Sequence, residues 1–214
     1  MFGLFWYFES HLMFYTPENR DPSLKYDPIK AIVAPRPIGW ISTLSTQGVA
    51  NLAPYSFFNA VGGMPPMLMF ASEGFKDSAQ NAVDTGEFVF NYASKSLSEE
   101  MNNSSSNAPK NVSEFEHYGI ETAECKIIAP PRVANAHAAM ECKVTSVVET
   151  NDVEGNLTGA VIIIGQVVGV HINDEVLRDG RFDVDLAQPV SRLGYMDFGL
   201  TSDLHEMLRP DWKG

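Results

Sequence analysis

Cysteine is scarce in this chain, with Cys125 and Cys142 alone among 214 residues. They have no C-x-x-C spacing and no paired histidines nearby, so the sequence supports neither a disulfide framework nor a metal site. A reducing cytoplasm is the expected setting. Cationic residues are also few, 15 Lys and Arg against 27 Asp and Glu for a net charge of -12. That balance argues against binding nucleic acid or an anionic membrane surface, and an anionic ligand must be held by local donors. No G-x-G-x-x-G follows a strand, no G-x-x-x-x-G-K-[ST] loop is present and no G-x-S-x-G elbow exists. Those absences set aside a Rossmann nicotinamide site, a nucleoside triphosphate site and a serine-hydrolase elbow. The histidines His11, His117, His137, His171 and His205 are scattered, and each reads as structural or exposed. The aromatic opening Met1 to Leu12 is shorter than the about 20 apolar residues that span a bilayer, and it lacks the marks of a secretory signal. It is expected to be an upstream start or leader outside the fold, dispensable to a single domain over 13–214. A short aromatic arm packing on a partner subunit is the rival reading.

What the chain does contain is organised around Pro35 to Ser72. Ile38 to Ser45 alternates and is rich in β-branched and aromatic residues, Thr46-Gln47-Gly48 suits a hairpin turn, and Val49 to Asn59 continues as a second strand-like run. Gly62-Gly63 and Met64-Pro65-Pro66 break the pattern before the apolar run Met67 to Ala71. Ser42, Thr43, Asn51, Ser56, Asn59 and Ser72 stud these strands where purely structural strands favour Val, Ile or Leu. A surface that meets something polar is the implication. Further on, Lys76 to Val83 reads as a helix whose Asp77 and Ser78 suit its cap. A helix start just past a strand, with Lys76 beside it, suits a phosphate as well as it suits an ordinary solvated helix.

The remaining segments read more plainly. A short helix is expected within Pro22 to Ile29 and a strand over Gly86 to Ala93. Ser96-x-x-Glu99 and Ser113-x-x-Glu116 have capping-box form, predicting helices near Leu97 to Asn102 and Glu114 to Tyr118, with a mobile polar loop over Asn102 to Asn111. Met140 to Glu149 predicts a strand with Met140, Cys142, Val144 and Val148 on a core face and Glu141, Lys143, Thr145 and Glu149 on a wet one. Ala160 to Ile172 is a continuous Val and Ile run, fit for a barrel centre or a subunit contact. Thr201 to Leu208 has room for a closing helix.

The motifs P-R-P-I-x-W-I-S-T, N-x-A-P-Y-S-F-F-N, P-P-x-x-x-x-x-S, K-D-S-x-x-N, E-F-V-x-N, M-E-C-K-V, G-Q-V-V-G-V-H-I and P-V-S-R-L-G-Y follow one another from Pro35 to Tyr195. In that order they resemble the flavin reductase-like, FMN-binding split-barrel proteins, which include flavoredoxin and the reductase components of two-component monooxygenases. The likeness extends over about Met13 to Leu208. It implies a mainly β fold, a six-stranded antiparallel Greek-key split β-barrel with short flanking helices, usually paired as a homodimer with FMN near the interface. Carried onto this chain, it sets Trp40, Ser42, Thr43, Asn51, Ala53, Ser56 and Phe57 around the flavin ring and ribityl chain. Ser72, Lys76, Asp77, Ser78 and Asn81 would form the phosphate end, and backbone N–H groups at Leu52 and Ala53 would meet the ring's polar edge. Gly39 stands where relatives commonly carry Ala, a change expected to matter little. Apolar residues left for a subunit contact are expected to include Phe57, Phe58 and the tail at Tyr195.

The implied activity is oxidoreduction through FMN, with NADH or NADPH as electron donor and free flavin, a metal complex or a partner protein as acceptor. No side-chain acid or base is demanded, because the cofactor carries the chemistry. A non-catalytic FMN-binding electron-transfer protein is the alternative. A barrel adapted to another cofactor, as in pyridoxamine-phosphate oxidase relatives, is the third reading.

Overall fold

The computed structural model describes residues 12–201 and 203–212. A helical turn α1 (Ile29–Ile32) leads into β1 (Arg36–Pro37), β2 (Gly39–Leu44) and β3 (Ala50–Tyr55). The turn between the last two closes through Gly48, whose φ of 84° needs a residue without Cβ, and through the bond Gly48 N–H to Ser45 C=O. The run Val49 to Asn59 is not one strand. It breaks at Ser56-Phe57 into β3 and β4 (Phe58–Gly63), and β4 turns at Met64-Pro65 into β5 (Pro66–Glu73).

Helix α2 (Asp77–Thr85) then gives way to β6 (Glu87–Tyr92), α3 (Ser98–Asn103) and α4 (Glu114–Tyr118). Two short pieces, β7 (Thr122–Ala123) and β8 (Arg132–Val133), precede the long strands β9 (Ala138–Asn151) and β10 (Leu157–Ile172). The chain finishes with β11 (Leu177–Arg178), β12 (Arg181–Phe182), α5 (Val184–Ala187), β13 (Val190–Arg192) and β14 (Phe198–Leu200). The large antiparallel sheet runs in the order β3-β2-β6-β9-β10-β5-β4. Its two outer strands, β3 and β4, are joined by only two residues, so the sheet is forced to curl and its edges approach at that corner without pairing among the described residues. A mainly β split barrel results, and its large sheet holds seven strands.

Inside the curl, Ile41, Phe58, Phe70, Phe88, Cys142, Val161 and Ile163 form the main core. Phe58 is buried against Phe90, ring centroids 4.8 Å apart and nearly parallel, so it belongs to the core and not to a subunit contact. That packing also overturns the expectation for Gly39, because a Cβ there would come within 2.4 Å of the Phe58 ring. A second core lies on the other side of β2 and β3, where Trp40, Leu52, Met101 and Phe115 pack together. In β10, Val161, Ile163 and Val167 face the main core while Ile162 and Ile164 on the other face are only half-buried.

Several local expectations differ from the structure. The helix expected over Pro22 to Ile29 forms later, as α1, because Asp21 and Asp27 turn back to accept the N–H groups of Ser23 and Ile29. Neither capping box closes. Ser96 lies inside a 3-10 turn and its hydroxyl pairs with that of Ser94, while the Ser113 hydroxyl is buried without a partner. No helix forms in the described part of Thr201 to Leu208, where Leu204, Met207 and Leu208 stay exposed and have no surface to pack on. The wet face expected for β9 is wrong at Glu141, which is fully buried, and Val148 of the expected core face is exposed. Apart from Leu12, which is exposed, the expectation for Met1 to Leu12 falls outside the described residues.

Candidate functional site

The edge strand β3 and the start of α2 come together along one trough. Asn51 in β3 donates its side-chain amide to the hydroxyl of Ser78, 2.7 Å away in the first turn of α2. Asn81, one turn further on, reaches the hydroxyl of Thr43 in β2 at 3.2 Å. These two bonds fix the helix start against the sheet. Lys76 is the cap position of the helix, and neither Asp77 nor Ser78 caps it as the sequence suggested; among the described residues no side chain takes its first N–H groups. Those groups keep their partial positive charge.

Beside them Ser72 is buried, its hydroxyl without a hydrogen bond of good geometry. Burial pushes the Tyr55 phenol above its usual range, while the neighbouring hydroxyls of Ser78 and Ser72 act the other way. The trough here has a cavity of about 430 Å³ walled by Asn51, Ala53, Tyr55, Lys76, Ser78 and the loop Ser104–Ala108, with Lys110 and Glu114. Burial raises the Glu114 carboxyl, although its Oε2 accepts the Leu52 N–H at 2.9 Å. That backbone donor is therefore engaged, and Ala53 to Ser56 is the stretch of the edge that lines the trough.

A second cavity of about 420 Å³ continues past Pro54 and Ser105 to Ser56, Arg36, Arg192 and Tyr195. Arg36 is spoken for, since its guanidinium donates to the carbonyls of Lys30, Val33 and Leu193 and so ties α1 and the end of β13 to the barrel.

Of the residues singled out from sequence, Asn51, Ala53, Ser56, Lys76, Asp77 and Ser78 line this trough. Trp40 lies beneath it, fully buried, its indole N–H donating to Ser104 at 2.9 Å. Ser42 and Thr43 are likewise buried, Ser42 donating to the Pro131 carbonyl and accepting from Asn91. Leu52, Ser72 and Asn81 support the wall from behind, and Phe57 lies outside it, half-exposed under the Lys30 ammonium. Sequence reasoning missed the wall formed by Ser104, Ser105 and Ser106, read only as a mobile loop, and it missed Glu114, hidden in a capping pattern. It also missed the joining of Cys125, Glu141 and His171, whose ligand atoms lie within 4.8 Å of one another. Glu141 there already accepts three backbone N–H groups and the His171 ring, and burial pushes the Cys125 thiol up to about 12. The cluster ties the Lys126–Ile128 segment to the sheet.

An uncapped helix start, a buried hydroxyl and two lysines fit a terminal phosphate, and the split barrel with an open edge strand beside them defines a flavoprotein architecture. The model of the flavin reductase like domain matches residues 33–195, and the chain belongs to the flavin reductase-like, FMN-binding split-barrel family. An uncharacterized protein of Aquifex aeolicus is 32% identical over 188 residues, 85% of this chain and 92% of the relative. The crystal structure of nitrilotriacetate monooxygenase component B from Bacillus cereus superposes with a TM-score of 0.84 at 28% identity, over 92% of this chain and 98% of that one. The 2-nitrobenzoate 2-nitroreductase NbaA of Pseudomonas fluorescens gives 0.80 at 28% identity, over 92% and 96%.

Proposed function

We propose that this protein is an FMN-dependent oxidoreductase that draws electrons from NADH or NADPH and delivers them to free flavin, another small molecule or a partner protein. The observation that carries the reading is the uncapped N-terminus of α2, held against the open edge strand with Lys76 and the buried Ser72 hydroxyl beside it. Lys76, Ser78 and the first N–H groups of α2 hold the phosphate, and Ala53 to Ser56 present backbone to the ring. Bound there, FMN supplies the two-electron chemistry. The trough continues beside Ser56 toward Arg192 and Tyr195, where a nicotinamide donor would approach a bound flavin.

A homodimer belongs to the same proposal. Val61, Val147, Val148, Val170 and Ile172 on the sheet and Met64 in the turn after β4 are exposed apolar residues that a second copy of the chain would cover. No described helix is long and apolar enough to cross a membrane. Reconstitution tests the cofactor: the purified protein mixed with FMN, FAD and riboflavin should hold FMN most tightly, because the site offers donors for one terminal phosphate. Equal affinity for FMN and riboflavin would contradict the phosphate site.

A further inference from the structure

Beyond Arg192 the trough opens into a third cavity of about 670 Å³, which shares Met101, Asn102, Arg192 and Phe198 with the one before it. Nothing in the flavin reading uses this space. Its walls are largely apolar, from Met101, Val190, Met196, Phe198 and Leu200, and its size falls in the range of small-molecule sites. At the junction the Arg192 guanidinium lies over the Phe198 ring, 4.5 Å from its centroid, where β13 and β14 pair Arg192 with Phe198. The recorded bonds of that guanidinium use Nη2 alone, to the Tyr195 carbonyl and near the Met196 sulfur.

The charge around the trough runs against that of the molecule. The three cavities are lined by six basic residues, Lys30, Arg36, Lys76, Lys95, Lys110 and Arg192, and by four acidic ones. The whole chain has 15 basic and 27 acidic residues. Anions are therefore drawn to this face of an otherwise anionic protein. In the third cavity Lys95 and Glu99 oppose each other's charge, leaving Arg192 as the cation shared with the flavin trough.

We propose that this third cavity is a second ligand site, next to the flavin trough, that takes a small aromatic carboxylate. The carboxylate pairs with the free edge of the Arg192 guanidinium, whose planar fork matches two oxygens. The ring packs among Met101, Met196 and Leu200, where thioethers favour aromatic partners.

Calorimetric titration of the full-length protein with benzoate and with benzamide, each with and without FMN, tests the site. Benzamide keeps the shape and loses the charge. Benzoate should bind roughly tenfold or more tightly than benzamide, the scale of one charge-assisted pair. Arg192→Gln should remove that preference, and Leu200→Asp, at an exposed wall position, should weaken benzoate roughly tenfold through charge repulsion while the melting temperature stays within a few degrees. Equal binding of benzoate and benzamide, no benzoate binding, or benzoate binding that neither variant changes would overturn the proposal. Failure of the FMN reading shows separately, as absent FMN binding in the same titrations.

Discussion

His171 donates its Nε2–H to Oε1 of Glu141 across 2.6 Å, and the Glu141 carboxylate also accepts the N–H groups of Lys126, Ile127 and Ile128. Gly169 makes the room, since a Cβ there would lie 3.2 Å from the carboxyl carbon. A glutamate that alternation assigns to solvent is thus a buried tie between the central strands and the segment leading to β8. Burial alone would raise its carboxyl, but the donors from Lys126, His171, Ile127 and Ile128 together hold it below the usual carboxylate value of 4.5.

Stability should follow that shift. A group held low in the fold contributes stability above its unfolded value, and the contribution is lost as pH falls through the folded value. Urea unfolding of Glu141→Gln should show a deficit of about 3 to 5 kcal/mol at neutral pH, the scale for removing one member of a buried pair. The gap should narrow as pH drops below about 4.5. A gap independent of pH would mean that the charge of Glu141 does not matter.

Gly39→Ala should cost about 1 to 3 kcal/mol, since the added methyl drives into the Phe58 ring. Combining it with Phe58→Leu should recover part of that loss. Additive losses in thermal melts would mean that the two positions do not meet.

Trp40→Phe should cost about 1 kcal/mol from the lost bond to Ser104 and loosen the serine wall of the trough. Its effect should appear in denaturant unfolding and in flavin dissociation, with the absorption maxima of bound flavin unmoved. A shifted flavin spectrum with unchanged stability would instead put the indole against the ring.

Lys76→Ala should weaken FMN by about 1.5 to 3 kcal/mol and leave riboflavin unchanged, because only FMN presents a phosphate. Fluorescence titration with both flavins reads this directly. Equal weakening of the two would place Lys76 at the ring.

Much of the fold was legible because its signals are local. The Gly48 hairpin, the apolar run of β5 and the alternation of β6 follow from two-residue periodicity and turn chemistry. What stayed hidden depends on contacts far apart in sequence. Alternation marks Glu141 as wet because it does not register that Lys126 to Ile128 returns with three free N–H groups. The break at Ser56-Phe57 is invisible in a run with no Gly and no turn dipeptide at that point, since it is imposed by closure of the barrel. In the site, Lys76, Ser78 and Asn51 were readable from residue type and order. Glu114 and the Ser104–Ser106 wall were not, because chain-distant packing alone brings them to β3.

Anaerobic rapid mixing of the FMN-loaded protein with NADH and with NADPH decides whether the protein is a reductase. One or both should remove the visible absorbance of the bound flavin within the mixing experiment, and added free flavin or another acceptor should restore it. Bound FMN that keeps its absorbance with both nicotinamides, yet is reduced by a partner flavoprotein, would contradict the reductase and leave an electron carrier in its place.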